Sequence, residues 1–252
     1  MKYVILIFIV IILIYLLRRN HLKYKLYRND IDVSNFTDKL KSVENVPLEV
    51  GVYKNDENIA TYYSHFVNAT ISDVLKKSDT KMQYKSNLGN DNPVDKMMRN
   101  FITDELGLVI DENKSVMTVR FCNAPWDFKS HFDCTDNHVF MLHGCKDFLL
   151  FDMFKHPNEV GILDDIKNLS IKDTVRVLDS YNIRSQLYTL NPGDILYIRN
   201  RVYHKVESRE PSVLLNIVTP IKNKWTLDAC SSRFNHIWPK QTNVCRTNEC
   251  LY

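Results

Sequence analysis

The chain has 252 residues, a formal net charge of +3 and 44% hydrophobic residues, which fits one globular domain with a sizeable core plus appendages. The small net charge makes no strong case for a nucleic-acid partner, and only six glycines argue against glycine-rich phosphate loops or linkers. The sequence shows no internal repeat and no low-complexity tract.

An apolar run from Tyr3 to Leu17 opens the chain. As a helix it would span about 22 Å, which is shorter than a hydrocarbon core of roughly 30 Å unless the flanking basic residues snorkel. A cleaved signal peptide is the main alternative, but the following sequence, LLRRNHLKYK, offers no small-residue cleavage site. We therefore predict an uncleaved single-pass membrane anchor over residues 1–19.

Basic residues after this run indicate its orientation. They are Arg18, Arg19, Lys23, Lys25 and Arg28. Because positive charge favours the cytoplasmic side, we expect the large domain to face the cytoplasm. Glycosylation sequons would suit a luminal domain instead, but a chain this rich in asparagine, serine and threonine contains about as many by chance. The sequons lie at Asn35, Asn68, Asn113 and Asn168.

The polar stretch over residues 20–44 is interpreted as a tether, and the domain is placed at 45–220 with a C-terminal tail at 221–252. The domain begins with a predicted strand, NVPLEVGV (45–52). Helices are predicted near Tyr62 to Lys77 and over Pro93 to Leu106. The second helix has the better signals: an N-cap Asn92, a first-turn Pro93 and Gly107 just past its end.

From residue 116 the pattern changes to short strands. They are VMTVRF (116–121), HVFMLH (138–143), DFLLFDMF (147–154), SQLYTL (185–190), DILYIR (194–199) and VLLNIV (213–218). The tetrapeptide 191–194, NPGD, suits a type II turn, with Gly193 where φ is positive. This pattern favours a mainly β domain with a double-stranded β-helix (jelly-roll or cupin) core and flanking N-terminal helices.

His131, Asp133 and His204 form the candidate metal site. In an extended segment side chains two apart point the same way, so His131 and Asp133 can converge on one ion while Phe132 faces the opposite side. His204 must then arrive on another strand. Two imidazoles and one carboxylate are the ligand set of the facial triad, which binds Fe(II) and leaves three positions open.

Four segments in order, HFDCTDN, GCKDFLLF, LNPGDILYIRNRVYH and LLNIV, resemble the JmjC/cupin-like family of Fe(II)- and 2-oxoglutarate-dependent dioxygenases, and most closely its small-hydroxylase branch. The resemblance runs from about Pro47 to Pro220 and is strongest from Ser130 onward. It implies that His131, Asp133 and His204 bind iron. It also implies that Lys146 pairs with the distal carboxylate of 2-oxoglutarate.

Other positions are matched less fully by this resemblance. It implies a cosubstrate pocket that is also lined by Asn137 and Asn216. The family usually places Thr or Ser three residues before the first histidine, and this chain has Phe128 there. Thr118 and Ser130 are the tentative substitutes for that hydroxyl.

The implied reaction uses Fe(II), 2-oxoglutarate and O2 to hydroxylate a protein side chain or other macromolecular substrate, with release of succinate and CO2. If an N-methyl carbon is hydroxylated, the result is demethylation. The alternatives are a metal-binding cupin without oxygenase activity and a membrane-tethered binding scaffold. Arg199, Arg201, Lys205 and Arg209 could form a basic mouth for an acidic peptide or RNA, but the sequence favours a solvated loop there. In the tail, Cys230, Cys245 and Cys250 lie near His236, but the absence of a CxxC pair argues against a zinc site, and disulfides are expected only if the domain is luminal.

Overall fold

The computed structural model describes residues 24–53, 65–86, 88–89, 91–108, 116–133, 135–154 and 156–219. Within these ranges no helix is long and apolar enough to cross a membrane. The predicted anchor, with its apolar run from Tyr3 to Leu17, lies outside the described residues, and so do the cysteines of the tail. Both stay predictions.

The described residues form twelve strands, five α-helices and one π-helical turn. The strands are β1 Tyr24–Tyr27, β2 Pro47–Tyr53, β3 His65–Thr70, β4 Lys81–Ser86, β5 Val116–Cys122, β6 Trp126–Phe132, β7 Asp136–His143, β8 Lys146–Phe151, β9 Ser185–Leu190, β10 Ile195–Ile198, β11 Tyr203–Ser208 and β12 Ser212–Thr219. The helices are α1 Phe36–Lys41, α2 Ile71–Val74, α3 Pro93–Asn100, the π-helical Phe101–Glu105, α4 Glu159–Ile166 and α5 Ile171–Ser180.

Two antiparallel sheets make the core. One has the order β1-β10-β7-β12-β5-β4-β2-β3 and the other the order β6-β11-β8-β9. The last eight described strands divide evenly between the sheets: β5, β7, β10 and β12 lie in the larger one, and β6, β8, β9 and β11 in the smaller one. This is the jelly-roll arrangement that the strand pattern predicts, and the mainly β, cupin-like part of the fold prediction is confirmed.

Three apolar clusters explain why the layers hold together. The first lies between the two sheets and includes Val139, Leu150 and Leu214. The second packs the outer face of the larger sheet against α1, α2 and α3. The third packs the outer face of the smaller sheet against α4 and α5, two helices that sequence analysis did not predict. Successive residues of a strand point alternately into the cluster between the sheets and into the cluster on the outer face of their own sheet. Where these clusters lie, both faces of the sheet are therefore buried.

The predicted helix over 62–77 is wrong for much of its length. His65–Thr70 is strand β3, paired with β2 at the edge of the larger sheet, and only Ile71–Val74 is helical. Every residue of this strand is exposed or partly buried, as is common in an edge strand. By contrast, the helix that begins at Pro93 is confirmed, and the side chain of Asn92 accepts a hydrogen bond from the amide of Asp95.

Residues 24–44, which the sequence suggested were part of a tether, contact the barrel in the structure. Strand β1 pairs with β10, and Arg28 donates a 2.5 Å hydrogen bond to the carboxylate of Asp194. Asp194 is buried and also accepts from the amides of Asn29 and Asn191. The turn at 191–194 has φ +93° at Gly193, as a type II turn requires. This turn therefore anchors the start of the described chain.

Candidate metal and cosubstrate site

The candidate metal ligands lie next to an irregularity in strand β6. Its partner strand β11 pairs His204 with His131 and then Val206 with Phe128, so β6 advances three residues where β11 advances two. One extra residue in β6 forms a β-bulge, which changes the direction of the side chains around it. Consequently Phe128 and His131 both point into the barrel, while Phe132 packs outside against Tyr203.

His131, Asp133 and His204 converge at one end of the barrel. One ligand atom from each lies within 4.8 Å of the other two. Nε2 of His204 is 3.7 Å from Oδ2 of Asp133, and the two imidazole rings have centroids 4.2 Å apart. The donor set, two imidazole nitrogens and one carboxylate oxygen, fits a divalent transition metal of the Fe(II) type.

Backbone carbonyls orient both histidines. Nδ1 of His131 lies 2.7 Å from the carbonyl of Lys129, and Nδ1 of His204 lies 3.2 Å from that of Val202. Each Nδ1–H donated to a carbonyl leaves the Nε2 lone pair free for a metal. Burial lowers the pKa of His131 to about 4, the adjacent His204 adds to this shift, and Asp133 opposes it. The imidazole is therefore neutral at neutral pH, as a metal ligand must be.

Two further contacts hold Asp133. Nδ2 of Asn137 lies 3.3 Å from Oδ2 of Asp133, and the amide of Arg201 donates a 2.8 Å bond to the backbone carbonyl of Asp133. Arg201 has φ +65°, a backbone conformation unusual for a residue with a side chain. Asn137, predicted to line the cosubstrate pocket, thus also contacts the metal carboxylate.

Lys146 begins β8, directly after the turn at Gly144, and its side chain is 1% exposed. Gly144 has φ +72°, and a Cβ there would lie 2.1 Å from the carbonyl oxygen of Pro211, so the turn requires glycine. The Nζ atom lies 5.8 Å from the centroid of the Phe128 ring. Burial lowers the pKa of this ammonium.

Several predicted pocket residues have buried polar atoms that form no hydrogen bond among the described residues. They are Nζ of Lys146, Oδ1 of Asn137, Oδ1 of Asn216 and Oγ of Ser130. Asn216 on β12 pairs with Thr118 on β5, whose side chain is buried. Buried polar groups are normally satisfied, and each exception needs an explanation. A bound polar molecule inside the barrel is one such explanation.

Arg120 is a partly buried residue that sequence analysis did not single out. It lies on β5 opposite Leu214 of the inner cluster, and its guanidinium carbon is 6.0 Å from the centroid of the Phe128 ring. The alternation of VMTVRF, which places Thr118 and Arg120 on one face, was the available signal.

The four residues considered for a basic mouth differ in their exposure. Lys205 is 1% exposed on β11 and lies near Glu207 and Asp127, whereas Arg209 is exposed. The guanidinium of Arg201 stacks on the ring of Phe154, 4.8 Å from its centroid. Lys205 is therefore a buried residue and does not belong to a solvated mouth.

A jelly-roll barrel with two histidines and a carboxylate converging in its interior defines a cupin with a candidate metal centre. The family model described as "Cupin-like domain" matches residues 18–218. Because this match covers most of the chain, the chain belongs to the cupin-like domain family, as the sequence resemblance indicated.

Among solved structures, the chain is similar to the X-ray structure of E. coli ycfD, with 13% identity and a TM-score of 0.47 over 86% of this chain and 55% of that chain. A second structure, described as YcfD, a ribosomal oxygenase from Escherichia coli, has 14% identity and a TM-score of 0.43 over 86% and 54%. The chain thus spans about half the length of both. A search of curated proteins finds no match.

Proposed function

We propose that the chain is an Fe(II)- and 2-oxoglutarate-dependent oxygenase that hydroxylates a protein side chain or another macromolecule. His131, Asp133 and His204 would hold the iron, and their set leaves three positions open for cosubstrate and O2. When bound, Fe(II) would supply the oxidative decarboxylation of 2-oxoglutarate to succinate and CO2, coupled to hydroxylation of a substrate C–H bond.

The observation that carries this proposal is the position of the unsatisfied polar atoms. Nζ of Lys146, Oδ1 of Asn137 and Oδ1 of Asn216 are buried without hydrogen-bond partners among the described residues, and Asn137 also contacts Asp133 of the triad. A 2-oxo diacid would contact them, with Lys146 pairing with its distal carboxylate and the two amides bonding its remaining oxygens. The apolar residues of the inner cluster would exclude water from this cavity.

A metal-binding cupin without oxygenase activity is the second candidate, and Phe128 is the observation that favours it. The ring occupies a position next to Lys146 where a hydroxyl would have donated to a carboxylate. A pocket without that donor would bind 2-oxoglutarate less tightly.

Succinate release distinguishes the two candidates. The purified chain is loaded with Fe(II) and incubated with 2-oxoglutarate, ascorbate and O2, and succinate is measured against a reaction without iron. We expect succinate that depends on both iron and 2-oxoglutarate. Metal binding without any such succinate, with or without peptides and nucleosides as substrates, would support the second candidate instead.

A further inference from the structure

Two cationic side chains meet one aromatic ring inside the barrel. Nζ of Lys146 lies 5.8 Å, and Cζ of Arg120 6.0 Å, from the centroid of the Phe128 ring. Lys146 comes from β8 of the smaller sheet and Arg120 from β5 of the larger one, so the pocket joins both sheets. We name Arg120, Phe128 and Lys146 the cation pocket.

The positive charges of this pocket have no carboxylate partner among the described residues. Nζ of Lys146 is buried, with the Cys122 thiol as its interacting neighbour, and Arg120 donates to the neutral amide oxygen of Gln83 at 3.5 Å. Burial lowers the pKa of Lys146; the Cys122 thiol opposes this shift, and the charge of Arg120 adds to it. Lys146 is buried and Arg120 is partly buried, and a buried cation is costly unless an opposite charge compensates it, so a bound anion would offset this cost.

We propose that Arg120 and Lys146 together bind the distal carboxylate of the cosubstrate, and that Arg120 replaces the hydroxyl donor that Phe128 excludes. This inference rests on the proposed function. A guanidinium offers several N–H donors in a fixed plane, so one carboxylate can accept from Arg120 and Lys146 at once. The Phe128 ring would form an apolar wall for the methylene groups and would keep water from the two charges.

The pocket should consequently select its cosubstrate by charge. A 2-oxo diacid such as 2-oxoglutarate neutralises the two cations in part, whereas 2-oxobutyrate, which lacks the distal carboxylate, leaves both uncompensated. Removal of the Arg120 side chain should therefore weaken the binding of 2-oxoglutarate and leave the binding of 2-oxobutyrate nearly unchanged. A residue with only a structural role would change the affinity for both acids together.

The test is calorimetric titration of both acids into the Mn(II)-loaded full chain without O2, so that binding is read without turnover. For Arg120→Gln we expect 2-oxoglutarate to bind about tenfold to a hundredfold more weakly, as for the loss of a charge-assisted contact. Arg120→Lys should weaken binding less than Arg120→Gln does, because it retains the charge but loses the planar set of donors. Arg176→Gln, at an exposed ion pair on α5, is the matched control.

Wild-type affinity for 2-oxoglutarate in Arg120→Gln, alongside weakened binding in Lys146→Ala, would overturn this inference and leave the proposed function intact. If Arg120→Gln weakens the binding of 2-oxoglutarate and of 2-oxobutyrate equally, the inference is overturned too. If the wild-type chain binds Mn(II) but no 2-oxoglutarate, the proposed function fails as well. Arg120→Met is a second neutral variant should Arg120→Gln fail to fold, with melting curves as the check.

Discussion

The metal triad and the cation pocket lie in the same barrel. They differ in whether other groups of the chain satisfy their hydrogen bonds and compensate their charges. Both histidines of the triad bond to backbone carbonyls and Asp133 bonds to Asn137, so the triad is oriented by its own protein. The cation pocket instead buries positive charge without a carboxylate. Side chains whose hydrogen bonds are made within the chain are preorganised, whereas buried polar groups left without a partner need a ligand to satisfy them.

The largest effect is expected from Asp133→Ala. This change removes the only anionic ligand of the triad and should abolish retention of Fe(II) and with it 2-oxoglutarate turnover. Metal content after gel filtration is the measurement. Asp127→Ala is the control, because Asp127 lies on the same segment, is half exposed and pairs with Lys81 instead. Retained iron with succinate release in Asp133→Ala would show that the assigned roles are wrong.

Lys146→Ala should distinguish the metal triad from the cation pocket, because it should affect cosubstrate binding and leave metal binding intact. It leaves all three metal ligands in place and removes a charge-assisted contact worth about 1.5–3 kcal/mol, so metal should be retained while 2-oxoglutarate binds roughly tenfold to a hundredfold more weakly. A cosubstrate titration with parallel metal analysis measures both. Lys205→Ala is the control, since Lys205 is equally buried but lies on the other face of the smaller sheet. An unchanged titration in Lys146→Ala would contradict the proposed role.

Asn137→Ala tests whether the orientation of Asp133 matters. The side-chain amide of Asn137 contacts the Asp133 carboxylate, and loss of such a contact to a metal ligand typically weakens metal binding by about tenfold or more. Competition between the chain and a chelating dye for Mn(II) gives the dissociation constant. Asn68→Ala on the exposed edge strand β3 should leave it unchanged. Equal constants for Asn137→Ala and wild type would mean that Asp133 is held by its backbone alone.

The smallest effect concerns the protein without ligands. Lys146→Met removes a buried unpaired charge and should raise the unfolding free energy by about 1 kcal/mol at pH 7. Because burial lowers the pKa of Lys146 in the folded state, this gain is complete below the folded-state pKa and shrinks as pH rises toward 10.5, its value when exposed. Urea unfolding at pH 7 and pH 9.5 measures the gain.

Lys172→Met, on the exposed side of α5, is the control for this experiment and should show no gain at either pH. A Lys146→Met variant that is less stable than wild type without ligand would indicate that Lys146 already has a compensating partner. Saturating 2-oxoglutarate should reverse the order, because only the wild type gains the full binding energy.

Much of the barrel could be predicted because its strands and turns have recognisable local sequence patterns. The β7, β8, β9 and β12 segments were located within a few residues, and the NPGD turn and the helix after Asn92 carry their own signals. Edge strands such as β3 were missed because partly exposed segments lack a strong alternation of apolar residues. Helices α4 and α5 cover the smaller sheet, and sequence analysis did not predict them.

The sequence by itself indicated that His131 and Asp133 lie close together, because residues two apart on an extended chain share one face, and the structure groups both with His204. Only the tertiary structure decided which residues join them from other strands. The bulge in β6 turns Phe128 inward, and pairing between β5 and β12 brings Arg120 to it from the opposite sheet. Such contacts depend on strand register and sheet packing between residues distant in sequence, which no local pattern encodes.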